Sequence, residues 1–402
     1  MTNDVFIYDA VRSPRGKGKA GAPMAQAALP HQLVAQLIGE LDRRHDVAQH
    51  VEQLTVSCVG QTGAQGGHIG LVSKLEAGLP DETVVHSVNN YCVGGLSAIG
   101  NAANVVRAGV ADLVLAGGVE MMSHVPFGAD KASYYADPSV AANLSYAPPG
   151  IGADVLAHLN GIDRETLDRW ALRSHHRAAA AWEAGIYDGS VVPITGADGS
   201  VAIDRDETIV ADLAAEKIAA LPPVFEEMGK GAFDAVVEAA RPGTGPIEHR
   251  HTIAHCPPIA DGAAMVLLGS AEAGSRHGLE PVARLVDLVE AAGDPILQLT
   301  AGVSAMERVL ERTGLSLGAM DLIEYMEAFA VVPALFERDF DVDMERVNPY
   351  GGHLAMGHPM GATGAILATA VTAELRRTGA GRGIAVAHGG AGVGVAAVFE
   401  AA

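Results

Sequence analysis

The segment TVVHSVNNYCVGGLSAIGNAANVVRAGVADLVLAGG, Thr83 to Gly118, decides how the rest of the sequence is read. Thr83–Val88 is a short β-branched run that predicts a strand, and it leads straight into Asn89, Asn90, Tyr91 and Cys92. Gly94 and Gly95 open a helix of small residues that reaches Arg107, and Gly109 stops it. Leu113–Ala116 then reads as a buried strand ending at Gly117 and Gly118. Strand, turn, helix and strand in this order predict a βαβ unit, and its repetition elsewhere predicts a mainly parallel sheet.

The position of Cys92 carries the chemistry. A cysteine at a strand-to-helix turn meets free backbone N–H groups and the positive end of the helix dipole, and both favour the nucleophilic thiolate. Gly94 and Gly95 allow a bulky substrate group to approach the backbone. Cys58, inside the apolar run Leu54–Val59, and Cys256, between His255 and Pro257, read instead as small buried apolar side chains.

Toward the N-terminus, Val5–Tyr8 predicts a first strand, Leu33–Leu41 an amphipathic helix and Leu54–Val59 a second strand. The C-terminal third repeats the layout. His358 and Pro359 precede a small-residue helix from about Gly364 to Arg376, followed by Gly379, Gly381 and a strand, Ile384–Ala387, that ends at Gly389 and Gly390. Two halves with one layout suggest a duplicated α/β core, although any two βαβ units share this grammar. Residues 120–250 differ in character, being rich in Pro, Gly, Asp and Glu around one clear helix, Asp163–Gly185, with Asp163 as its N-cap and Gly185 as its stop. This stretch reads as an inserted lobe over the active face.

In NPYGGHLAMGHPMGATGA (Asn348–Ala365), His358 has the setting of a base that takes the proton of a catalytic cysteine, whereas His353 reads as a loop residue. In AVAHGGAGVG (Ala385–Gly394) the Lys-Ser/Thr of a phosphate loop is missing, and backbone N–H groups around Gly390 suit an oxyanion hole.

Composition bounds the function. A chain of 402 residues calls for two or three structural units, and 49% hydrophobic with 4% aromatic residues and 48 glycines suits small helices packed on aliphatic strands. A formal charge of -21 opposes binding to nucleic acid or to an anionic membrane, and any anionic ligand would need local donors. Three cysteines without framework spacing point to a reducing compartment. The opening MTNDVFIYDAVRSP has no signal-peptide pattern, and no uninterrupted apolar window reaches the length of a membrane span, so the expected location is the cytoplasm.

Together, NNYCVGGLSA around Cys92, GGVEMMSHVP (Gly117–Pro126), MEAFA (Met326–Ala330), NPYGGHLAMGHPMGATG and HGGAGVG resemble thiolase motifs in the family's order, and RSPRGKGKAGAP (Arg12–Pro23) is similar to the family's opening. The resemblance runs from about residue 5 to 400. It implies a five-layered αβαβα fold of two core domains, here residues 1–119 with 251–273 and residues 274–402, with a loop lobe at 120–250. It further implies ping-pong acyl transfer between 3-ketoacyl-CoA and coenzyme A, with Cys92 acylated and His358 as its base. One oxyanion hole would be formed by the Cys92 and Gly390 N–H groups, and His358 would contribute to oxyanion binding. Ala328 and Phe329 would line the pantetheine tunnel, with Met326 beside them. No metal and no permanently bound cofactor are implied, coenzyme A being a substrate, and the expected assembly is a homodimer or homotetramer. Four positions depart from the family pattern: His388 replaces a second catalytic Cys, Met326 an Asn that holds a water, Pro257 a Ser that contacts coenzyme A, and Pro148 a His. His388 would then move the proton at C2 of the departing or attacking thioester, because imidazole titrates near neutrality. Two other readings are an enzyme for an unusual acyl group, for example from ring degradation, and a non-catalytic acyl-CoA-binding subunit.

Overall fold

The computed structural model describes residues 3–379 and 381–402; the first two residues of the expected N-terminal unit and Ala380 of the C-terminal unit lie outside them. Nine strands follow one another across a single sheet: β1 (Phe6–Arg12), β2 (Gln53–Ser57), β3 (Val84–Val88), β4 (Leu113–Met121), β5 (Ala260–Gly269), β6 (Ala283–Ala292), β7 (Leu322–Tyr325), β8 (Arg382–Gly389) and β9 (Val393–Ala401). Their spatial order is β7-β8-β9-β6-β1-β5-β4-β2-β3, with the short strand Gly16–Lys17 added on β5.

The duplication is visible in the pairings. In the first half β2–β4 is parallel, β4–β5 antiparallel and β5–β1 antiparallel. In the second half β7–β8 is parallel, β8–β9 antiparallel and β9–β6 antiparallel. The halves meet where Phe6 and Ile7 of β1 pair with Arg284 and Ala283 of β6. The expectation of a mainly parallel sheet is therefore corrected to a mixed sheet. The reason is local in the second half, where the tight turn at Gly390–Gly392 folds β9 back on β8.

Helices fill both faces. α1 (Pro30–His45) and α2 (Ile69–Ala77) cover the outer face of the first half, and α6 (Ala301–Thr313), numbered after the lobe helices below, covers that of the second. Between the halves lie α3 (Gly94–Arg107) and α8 (Thr363–Thr378), both buried over most of their length. Their axes approach at backbone distance. A Cβ on Gly95 would strike the Ala365 nitrogen, and one on Gly364 the Leu96 nitrogen. Only glycine allows that approach. The resulting order is helix, half-sheet, helix, half-sheet, helix, the two half-sheets being joined through the β1–β6 pairing.

β4 runs past the predicted stop at Ala116 to Met121. Gly117 and Gly118 belong to the strand because the partner backbones come too close for a side chain, the Ala264 carbonyl at Gly117 and the Gly361 carbonyl at Gly118. The intervening residues form α4 (Pro149–Asn160), α5 (Arg164–Glu183), shorter helices and a small two-stranded sheet, and α4 shares a small core that includes Tyr146, Ile151, Phe233 and Val237. Asp163 caps α5 by accepting from the Thr166 N–H, and Gly185 follows its end at φ +68°. α7 (Val331–Asp339) packs against α4 and α5.

Candidate active site

Cys92 stands at the turn between β3 and α3. Tyr91 takes a left-handed φ of +48°, an uncommon conformation for an aromatic residue, and so turns the chain sharply before the cysteine. Three contacts hold the turn. The Asn89 Oδ1 accepts from the Tyr91 N–H at 3.1 Å, Asn90 Nδ2 donates to the Ser97 hydroxyl at 2.9 Å, and the Gly94 N–H donates to the Tyr91 carbonyl at 3.0 Å. Gly94 is required because a Cβ there would collide with the Ser57 hydroxyl.

The thiol itself corrects the sequence expectation. Burial pushes Cys92 up to about 12, opposed by the backbone N–H groups of Gly390 and of Cys92 itself, while the Glu120 carboxylate adds to the rise. The free site thus holds a thiol rather than a thiolate, since burial outweighs the helix end. The two N–H groups that face the sulfur are those of Cys92 and Gly390.

His358 reaches the same place from the second half. Its backbone N–H donates to the Pro258 carbonyl at 2.9 Å, it bridges to Ile259, and its Nδ1 shares a hydrogen bond of 2.7 Å with the Thr363 hydroxyl at the start of α8. Burial, with a smaller push from Arg15, lowers its imidazole to about 3, so it is neutral and can accept a proton on Nε2. Glu120, fully buried at the end of β4, fastens this loop to the first half. It accepts from the N–H groups of Val59, Gly60 and Gly361 at 2.9–3.0 Å and from Gln65 Nε2 at 2.6 Å.

His388, at the end of β8, is fully buried, and neither ring nitrogen has a hydrogen-bond partner. Its ring meets Tyr325 edge to face at 4.8 Å, and α6 presses on its back at Gly302, where a Cβ would lie 2.5 Å from Nδ1. Burial lowers it to about 3; the nearby Leu299 backbone pulls the other way without reaching hydrogen-bond geometry. The expectation of a group titrating near neutrality is corrected, because a wholly buried imidazole loses its ion solvation. The adjoining turn depends on Gln298, itself at φ +61°, whose Oε1 accepts from the Ala391 N–H at 2.7 Å.

Met326, Ala328 and Phe329 follow β7. The Met326 N–H donates to the Val386 carbonyl at 2.9 Å, and the Phe329 ring meets Phe225 and His251 edge to face at 5.9 Å each. Between them Glu327 points the other way, into a buried knot where it accepts from the Ser174 hydroxyl at 2.6 Å, Asn348 Nδ2 at 3.1 Å and the Leu354 N–H at 3.2 Å.

Cys92, His358, His388, Gly390, Met326, Ala328 and Phe329 all line one cavity of about 470 Å³. Pro148 and Pro257 line it too. So does Cys256, which corrects its reading as a buried core side chain; burial raises its thiol to about 12. Cys58 lies outside the cavity, buried, as expected. His353 is corrected from a loop residue to a buried one in the short helix His353–Met356, its ring 5.8 Å from that of His358. Thr363, Glu120 and Gln298 were not foreseen. Each acts across a long sequence separation or through an ordinary polar residue with no motif of its own. No cluster of His, Cys, Asp and Glu among the described residues could hold a metal ion.

Residues 5–235 match the thiolase N-terminal domain and residues 279–401 the thiolase C-terminal domain. A 3-ketoacyl-CoA thiolase of Marinomonas sp. (strain MWYL1) is 34% identical, over 99% of this chain and 98% of that protein. A beta-ketoadipyl-CoA thiolase of Pseudomonas aeruginosa is 32% identical over 100% of both. The crystal structure of human mitochondrial 3-ketoacyl-CoA thiolase in complex with CoA superimposes with a TM-score of 0.86 at 27% identity, covering 100% of this chain and 98% of that one. Matched along both halves in sequence and in fold, the chain belongs to the thiolase family.

Proposed function

We propose that this thiolase-type acyltransferase cleaves 3-ketoacyl-CoA with coenzyme A, or runs the reverse condensation, through an acyl thioester on Cys92. The observation that carries the reading is the shared cavity, which gathers a thiol from one half of the core and two neutral imidazoles from the other. Neither imidazole starts the reaction charged, and that sets the proton path. In cleavage the Cys92 proton leaves by way of His358, and the sulfur attacks the 3-keto carbon. The C2–C3 bond breaks, His388 gives its ring proton to C2 of the departing acetyl thioester, and the His358 imidazolium returns a proton to His388 through the space the acetyl thioester vacates. Coenzyme A then gives its thiol proton to His358 and attacks the acyl carbon, and Cys92 leaves and recovers a proton from His358. Both imidazoles end neutral, as they began.

The Cys92 and Gly390 N–H groups would hold the oxygen of the acyl-enzyme, and His358 Nε2 the oxygen of the enolate. Met326 offers no donor there. Coenzyme A is a substrate in this scheme, with no permanent cofactor, and Ala328 and Phe329 flank its pantetheine arm. The division into a core of 1–119 with 251–273, a lobe at 120–250 and a second core at 274–402 belongs to the same proposal. So does a homodimer or homotetramer, supported by the free edge of β3 and by exposed apolar side chains beside it, Val84 on the strand and Leu71, Val72 and Leu75 on α2. No helix among the described residues is long and apolar enough to cross a membrane, and unpaired thiols suit a cytoplasmic location.

Intact mass spectrometry after incubation with an acyl-CoA tests the core of the reading. An adduct should form on the wild type at Cys92 and be absent from Cys92→Ser; an adduct mapped to Cys58 or Cys256 would overturn it.

A further inference from the structure

The lining of the active cavity contains no Asp, Glu, Lys, Arg, Ser, Thr, Asn or Gln among the described residues. Its polar side chains are the two imidazoles, both held neutral by burial, and the thiols of Cys92 and Cys256. The remainder is aliphatic, aromatic, proline or glycine, with Met122, Phe127 and Phe225 from the lobe facing Ile253, Leu299 and Met326 across about 470 Å³. Arg15, which acts electrostatically on His358, is not in this lining. Its guanidinium donates to the Gly357 carbonyl and borders a separate small cavity.

That chemistry selects among acyl groups. The similar enzymes include one named for a 3-ketoacyl thioester and one for β-ketoadipyl, an acyl group that ends in a carboxylate, at nearly equal identity, so overall similarity does not choose between them. A carboxylate carried into this cavity would lose its water and find no cationic, hydroxyl or amide side chain in return, and the backbone N–H groups of Cys92 and Gly390 are taken up at the reacting carbonyl. A branched or ring-bearing hydrocarbon would meet soft, adaptable methionines and aromatic edges over its whole length. The chain's net charge of -21 disfavours an acyl group carrying an extra carboxylate further.

We infer that the acyl group this enzyme transfers is bulky, apolar and uncharged to its far end, and that acyl groups ending in a carboxylate are excluded by the absence of any partner in the cavity. The inference rests on the thiolase reading of the same site and narrows it.

Three thioesters matched in length test it: 6-methyl-3-oxoheptanoyl-CoA, 3-oxoadipyl-CoA, in which a carboxylate replaces the isopropyl end, and the methyl ester of that carboxylate. CoA-dependent cleavage by the intact enzyme should favour the branched substrate over the diacid by about 100-fold or more in kcat/KM. The methyl ester, which keeps the oxygens and loses the charge, should recover to within about tenfold of the branched substrate. A branched-to-diacid ratio below tenfold overturns the inference while leaving the thiolase reading intact. An ester as poor as the free acid also overturns it, since charge would not be the cause. If none of the three is cleaved and none labels Cys92, the thiolase reading itself fails and the inference with it.

Discussion

In the first half of the core the turn before the central helix is Asn89–Val93, fed by β3 and braced by its own asparagines. In the second half the corresponding turn, Gly357–Ala362, is fed by no strand. It is held by groups of the other half, the Pro258 carbonyl and Ile259 leading into β5, and Glu120 on β4. Cys92, the proposed nucleophile, is braced within its own half, whereas the turn of His358, the proposed base, takes Thr363 from its own half and its backbone anchors from across the interface. One sheet plan, used twice, thus yields a cysteine that is placed by its own half and a histidine that is in register only when the halves are joined.

The largest effect expected from breaking this arrangement is at the base. His358→Ala should slow acylation of Cys92 by about 10³-fold, because a thiol held near 12 has little thiolate of its own. Rapid-quench mass spectrometry measures it, and a loss below tenfold would mean that Cys92 needs no partner from the second half. His388→Ala separates the two imidazoles. Deuterium exchange at C2 of acetyl-CoA should fall by roughly 10²-fold while acylation of Cys92 changes by less than about tenfold. Equal losses in both would reduce His388 to a packing residue.

The interface can be tested symmetrically. Gly95→Ala and Gly364→Ala each force a methyl into the backbone of the opposing helix, so each should destabilise by about 2 kcal/mol, and by similar amounts, since they spoil one contact from its two sides. Urea unfolding of the pair decides it; a strongly unequal pair would break the symmetry. The smallest effect is on pH dependence. His358 and His388 lie well below the ordinary histidine value when folded, so they contribute stability that is present above the unfolded value near 6.5 and is lost as pH falls below it toward their folded values near 3. Between pH 7.5 and 5.5 each should cost about 1 kcal/mol, and His388→Gln should remove its share from the measured acid slope.

The motifs around Cys92 and His358 were legible because their glycines, and the position of each residue just before a helix, are local. The bounds of α5 were legible for the same reason, since Asp163 caps through its own third neighbour, Thr166. The stop of β4 was misread because a glycine that ends a strand and one that admits a neighbouring backbone look alike in sequence. The direction of the thiol's shift was misread because the helix end is visible in the sequence and the depth of burial is not. Glu120 and Gln298 were invisible for a third reason: a single carboxylate or amide gains its meaning from the N–H groups that the fold brings to it.

β1, which joins the two halves, has a consequence in time. Phe6–Arg12 pairs along its length with residues 264–269, and Phe6 and Ile7 also pair with residues 283–284. During synthesis the earliest strand must therefore wait until more than half of the polypeptide has emerged before either of its neighbours exists. The nascent protein carries an unpaired, apolar β-segment through that interval, and pairings so distant in sequence are slow to close. Closure of these distant pairs is therefore the expected slow step in completing the sheet.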